Sequence, residues 1–88
     1  MKRHTNFCLQ LTEETASHEI EMEQFRGERK FGGFNSMHEA YSVIKEELEE
    51  FWDSVKANDP DPKELLQIAA TARRAMIELC ELAREEQK

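Results

Sequence analysis

Ser36-Met-His-Glu-Ala-Tyr-Ser-Val-Ile-Lys-Glu-Glu-Leu-Glu-Glu-Phe-Trp-Asp-Ser-Val55 is the stretch from which the fold follows. Ser36 can cap a helix here, and Glu39, three residues on, supplies the second half of a capping box. Ala40, Val43, Ile44, Leu48, Phe51 and Val55 recur at three- and four-residue steps and draw one apolar stripe. Glu47 falls inside that stripe, four residues after Val43 and four before Phe51, and Glu50 lies one turn on at its edge. An ionised carboxylate facing a core needs a charge partner or a metal. Two of them at i,i+3 can converge on one hard cation.

Working outward, Asn58-Asp-Pro-Asp-Pro62 is the only proline-containing segment. Asp61 suits the N-cap of a following helix, Pro62 its first position and Glu64 its third. That helix is expected to reach about Glu85. Its main stripe is Leu65, Ile68, Ala69, Ala72, Met76, Leu79, Cys80 and Ala83, with Leu66, Ala70 and Ile77 forming a second strip. A helix apolar on two sides has two neighbours to satisfy, and in so short a chain the second can belong to another subunit.

On the other side, paired glycines in Lys30-Phe-Gly-Gly-Phe-Asn35 break the chain between helices. Thr12 to Arg29 reads as a charge-rich helix with a weak stripe, packed on the rest by Leu11, Ile20 and Phe25. Residues 1–10 read as a flexible lead-in, and 11–88 as one domain. No β-type alternation or repeat is present. The expected class is all-α: an antiparallel bundle of about three main helices.

Twelve basic residues against nineteen acidic give a net charge of −7, which disfavours a nucleic-acid partner and suits a protein that gathers cations. Cys8 and Cys80 form no CxxC pair and read as reduced thiols, with Cys80 in the core. No apolar run is long enough to cross a bilayer. The expected location is cytoplasmic.

The acidic set is completed by Glu46 beside Glu47, and by Glu64, which the short Asn58–Asp61 turn returns toward Glu47 and Glu50. Mg²⁺ or Mn²⁺ would relieve the repulsion of such a group. The competing reading pairs Glu47 with Arg73 or Arg74, leaves Glu46 as a solvated charge, and gives Glu64 to helix capping. Arg73, Arg74, Lys30, Arg26 and Arg29 can meet phosphate oxygens or pair with the abundant carboxylates. Phe31, Phe34 and Trp52 can stack a base or fill a core or dimer seam. His38 lies in the first turn of its helix, and neither it, His4 nor His18 belongs to a metal motif.

Glu46-Glu47-x-x-Glu50, followed after a turn by Glu64-Leu-Leu-Gln67-Ile-Ala-Ala, resembles the EExxE and ExxD signature of the MazG-like all-α nucleotide pyrophosphohydrolases. Phe31-Gly-Gly-Phe-Asn-Ser-Met-His-Glu-Ala-Tyr-Ser-Val-Ile and Ile68-Ala-Ala-Thr-Ala-Arg-Arg-Ala-Met resemble the small single-domain members from bacteria and phages, so that the likeness covers about Lys30 to Leu82. The resemblance implies a helical core completed by dimerisation, as a homodimer or homotetramer. It implies Mg²⁺-dependent hydrolysis of a nucleoside triphosphate to monophosphate and pyrophosphate, in a house-cleaning or nucleotide-pool role. Carried over by position, Glu47, Glu50, Glu64 and Gln67 would be metal ligands and Glu46 a ligand or water-orienting base. Lys30, Arg73, Arg74 and Trp52 would face the substrate. The chain departs from the pattern at Gln67, which offers a neutral carbonyl where the motif has aspartate. That substitution also fits a helical module that binds nucleotide or protein without turnover.

Overall fold

The computed structural model describes residues 4–87. Four helices follow in order: α1 (Thr5–Gln10), α2 (Glu13–Phe31), α3 (Met37–Lys56) and α4 (Pro62–Glu86), with no strand among the described residues. The all-α expectation holds. Thr5–Gln10 is helical where a loose lead-in is expected; residues 1–3 of that lead-in lie outside the described residues.

The helix ends follow from local chemistry. Thr12 and Thr15 form a reciprocal capping box at the start of α2, with Thr15 N–H donating to Thr12 Oγ1 at 3.2 Å and Thr12 N–H to Thr15 Oγ1 at 2.8 Å. Gly32 closes α2 at φ 73°, a conformation glycine adopts without a Cβ clash. At α3, Ser36 Oγ accepts the Glu39 N–H at 3.1 Å, as the capping-box expectation requires. Glu39, however, reaches one residue further back, accepting the Asn35 N–H at 3.1 Å and its side-chain amide at 2.9 Å. Those two bonds hold its carboxyl below the ordinary value. α3 ends at Lys56 and passes through Asn58 at φ 60°, while Asp61 caps α4 by accepting the Lys63 N–H at 2.9 Å. Ser54 ties the connection, donating to the Phe51 carbonyl at 2.6 Å and accepting the Asp61 N–H at 3.2 Å.

α4 is the central element. It packs against both α3 and α2, which share few contacts with each other. Bonds from Phe34 to Glu78, Glu47 to Thr71 and Ser54 to Asp61 show α3 antiparallel to α4. α2 runs alongside α4 in the same sense, Gly27 against Arg74 and Gly33 against Glu78. The two outer helices therefore flank α4 without closing on one another, and a cleft lies between them.

The core is thin. Among the described residues, only Ala40, Ala70 and Arg74 are buried. Several expected packing residues face outward: Leu48 of α3, Leu65, Met76 and Leu79 of α4, and Phe25 of α2 are each at least half exposed, and Cys80 is exposed too. On α4 the expected order of the two strips is reversed. Ala70 of the minor strip meets the neighbouring helices, because a small side chain allows close approach on both flanks. Leu65, Met76 and Leu79 of the main strip are left outward, and its Ile68 and Ala69 are half-buried.

Candidate functional site

The cleft between α2 and α3 has a volume of about 920 Å³. Glu46, Glu47 and Glu50 line its α3 side, and Arg26, Lys30 and Phe31 its α2 side. Gln67, Ala70, Thr71 and Arg74, one face of α4, form the floor. The α3 wall is acidic, while the α2 wall is mixed, since Glu23 also lines it and accepts bonds from Arg26 Nε and Nη2 at 3.1 and 2.9 Å; the groove is open to solvent.

Glu47 is the central acid. Its Oε2 accepts a hydrogen bond from Thr71 Oγ1 at 3.0 Å, while its Oε1 is buried with no partner. Burial raises its pKa above the ordinary carboxylate value. The Thr71 bond opposes that rise, the charges of Glu50 and Glu64 add to it, and Arg74 draws it back. Glu64 behaves similarly at the start of α4. Its Oε2 is buried without a partner, and burial, then the charge of Glu50 and hydrogen bonding with it, then Asp61, raise its pKa. The capping-box role of Glu64 is not realised, since the Asp61 N–H donates to Ser54 instead. Glu64 does stand in the first turn of α4, where a carboxylate interacts favourably with the helix dipole.

Arg74 is the central base, nine-tenths buried and held on three sides. Its guanidinium lies 3.8 Å from the centroid of the Phe34 ring, and its Nε is 3.5 Å from Glu78 Oε2. Glu78 Oε1 in turn accepts the Phe34 N–H at 2.8 Å, so one carboxylate fixes both the arginine and the ring beneath it. Gly27 leaves the space: a Cβ there would stand 3.2 Å from Arg74 Nη1. Cation–π stacking and a carboxylate on Nε leave the outer edge of the guanidinium as the part able to receive an anion.

The structure brings Glu46, Glu47, Glu50, Gln67, Lys30 and Arg74 to one cleft. Glu64 lies behind its acidic wall, coupled to Glu47 and Glu50. Arg73 and Trp52 do not line it. Arg73 binds the Gln24 side-chain oxygen and stands 3.9 Å from Glu21 on the outer side of α2, because adjacent helix positions point about 100° apart. Trp52 is more than half exposed, with Lys56 Nζ 5.7 Å from its ring centroid. Neither Arg73 nor Arg74 forms the ion pair with Glu47 that the competing reading requires; they bond to Gln24 and Glu78.

Thr71 and Gly27, which line the cleft, and Glu78, which holds Arg74 beneath it, are among the residues missed by sequence reasoning. Thr71 had a signal, being the one hydroxyl in the run Ala69-Ala-Thr-Ala72, one turn from both Gln67 and Arg74. Glu78 had none, because its bond to the Phe34 backbone spans 44 positions.

The donors fit a hard cation in kind, with unpartnered carboxylate oxygens on Glu47 and Glu64 around Glu50. Among the described residues, though, no three His, Cys, Asp or Glu side chains are drawn together closely enough to enclose a metal ion by themselves. Mg²⁺ retains several waters and is commonly held by one or two carboxylates together with substrate phosphates, which needs no such enclosure. No helix among the described residues is long and apolar enough to cross a membrane. No family model, curated protein or solved structure matches the chain.

Proposed function

We propose that this chain is a Mg²⁺-dependent nucleoside triphosphate pyrophosphohydrolase, acting through the cleft between α2 and α3. The observation that carries the reading is the pairing of Glu47, its Oε1 buried without a partner, with a clamped, buried Arg74 across one groove. A triphosphate accompanied by a divalent cation presents the matching charges: oxyanions for Arg74 and Lys30, and a cation for the carboxylates. Glu47, Glu50 and Glu64, with the carbonyl of Gln67, would hold the ion, which when bound supplies phosphate charge neutralisation and a positioned water.

The chain's own residues divide the remaining work. Glu47 has one oxygen committed to Thr71, which leaves its Oε1 for the ion. Glu46, exposed at the cleft edge, is then free to accept the proton from the attacking water as the bond to the pyrophosphate leaving group breaks. Arg74 binds the phosphate oxygens and stabilises the charge that develops there. Phe31, exposed at the mouth of the cleft, offers a face for the base.

The reading includes self-association. The chain exposes 6869 Å², whereas a compact monomer of 10.3 kDa exposes about 5,400 Å². That extra surface belongs to an elongated chain of 52 × 28 × 20 Å, over which large apolar side chains are left uncovered. Outward-facing Tyr41, Leu48 and Trp52 on α3 and Leu65, Met76 and Leu79 on α4 supply the apolar surface.

A second reading, a nucleotide-binding module without turnover, is favoured by Gln67 and by the absence of a closed carboxylate group among the described residues. Pyrophosphate release from a panel of canonical and modified triphosphates, with Mg²⁺ and with Mn²⁺, separates the two. Release that is lost in Glu47→Gln while helicity is retained supports the hydrolase. Saturable binding of a non-hydrolysable analogue with no release from any member supports the module.

A further inference from the structure

We infer that Thr71 is a positioning residue for Glu47: its hydroxyl holds one carboxylate oxygen, so that the other is the oxygen offered to the cation. This rests on the metal-binding reading of the cleft. A threonine inside a helix ordinarily turns its hydroxyl back to a carbonyl of the preceding turn. Thr71 instead donates to Glu47 Oε2 on the antiparallel helix, 24 residues away, at 3.0 Å. A hydroxyl carries one hydrogen, so this bond excludes the intrahelical one. It also orients the carboxylate, since a bond to one oxygen fixes the rotation of the group and hence the place of the other. That other oxygen is buried and has no hydrogen-bond partner among the described residues, so it is available to a ligand.

The surroundings show no other use for the hydroxyl. Thr71 lines the cleft, flanked by Ala70 and Ala72. Arg74, one turn on, is engaged with Phe34 and Glu78. Side chains that orient a metal ligand through a hydrogen bond typically matter about 10–100-fold for metal affinity.

The test is Mn²⁺ binding, followed by electron paramagnetic resonance or calorimetry, on the intact chain and on Thr71→Val, Thr71→Ser, Glu47→Gln and the Thr71→Val/Glu47→Gln double variant. Valine keeps the branched shape and removes the donor; circular dichroism checks that the helices persist. Thr71→Val is expected to weaken Mn²⁺ binding by about tenfold or more, Thr71→Ser to restore it, and Thr71→Val to add nothing once Glu47 is glutamine. Mn²⁺ affinity in Thr71→Val equal to that of the parent overturns the positioning role while leaving the metal site standing. Absence of Mn²⁺ binding in the parent, with and without a non-hydrolysable triphosphate, overturns the site and this inference together. Should Thr71→Val lose its helices, Thr71→Ala against Thr71→Ser gives the same comparison without added bulk.

Discussion

Replacing Gly27 with alanine should separate stability from ligand binding. Gly27 lies within α2, where alanine is favoured over glycine by about 0.8–1.0 kcal/mol. The new methyl would stand 3.2 Å from Arg74 Nη1, so the guanidinium must retreat by a few tenths of an ångström. It cannot do so freely, being stacked 3.8 Å from the Phe34 centroid and paired with Glu78. A desolvated cation–π contact is worth about 2 kcal/mol, and a small retreat forfeits roughly a quarter of such a well, about 0.5 kcal/mol. The balance is a gain of about 0.5 kcal/mol, which for a domain of this size raises Tm by about 2–4 °C. Binding should move the other way. A charge-assisted bond contributes about 1.5–3 kcal/mol, and losing half of it weakens a triphosphate about tenfold or less. Thermal melts followed by circular dichroism, with calorimetric titration of a non-hydrolysable triphosphate and Mg²⁺, read both quantities. A fall in Tm of several degrees would refute the assumption that Arg74 can yield. Higher Tm with unchanged affinity would refute its role as the phosphate fork.

Glu47→Gln should raise Tm at pH 7, and the gain over the parent should shrink as pH falls toward 4. The raised pKa values of Glu47 and Glu64 mean that the folded chain holds protons the unfolded chain has released. Their contribution is therefore present below the ordinary carboxylate value, near pH 4.3, and is lost as pH rises through the folded values. A pH series of melts that shows no narrowing contradicts this. Thr12→Ala removes the α2 cap and should cost about 1 kcal/mol, a fall in Tm of about 4–8 °C; no change would mean that the start of α2 contributes nothing to the cooperative unit. For self-association, sedimentation should give more than one chain per particle, and Leu48→Glu should shift it toward monomer. A parent that sediments as a monomer at high micromolar concentration removes the proposed interface.

Sequence periodicity was enough for α2, α3 and α4 but not for the short α1, whose six residues are too few to show a stripe. The α3 and α4 ends follow Ser36, Asn58, Asp61 and Pro62, whose effects are local and do not depend on what the helices pack against. The facing of each helix was less legible. On α4 both strips are apolar, yet the face turned toward α2 and α3 carries Ala70 together with Gln67, Thr71 and Arg74. Ala70 is buried because α2 and α3 approach it from two sides, a fact about neighbours that no window of sequence contains. The cleft was legible in part for the same reason. Glu46, Glu47, Glu50 and Gln67 lie at fixed turns of two helices joined by a short connection, so spacing alone brings them together. The choice between Arg73 and Arg74 depends on the rotation of α4, and spacing leaves that open.

That rotation has a chemical cause. Turning α4 to bury its bulkier strip would carry Arg74 away from Phe34 and Glu78, and Thr71 away from Glu47. The present rotation places an arginine and a threonine in the thin interior, and with them a carboxylate oxygen that has no partner. Burying polar groups in place of Leu65, Met76 and Leu79 costs stability unless each finds a partner and the displaced apolar strip finds a cover elsewhere. One oxygen of Glu47 has its partner within the chain, and Arg74 has the Phe34 ring and the charge of Glu78, though its Nε makes no hydrogen bond among the described residues. The two remaining demands, a cation for the carboxylates and a second copy for the apolar strip, are linked through one helix. Association and divalent binding should therefore strengthen each other, since both favour the same rotation of α4. Sedimentation with and without Mn²⁺ reads that coupling, and a dimerisation constant indifferent to Mn²⁺ would break the link between the two halves of the proposal.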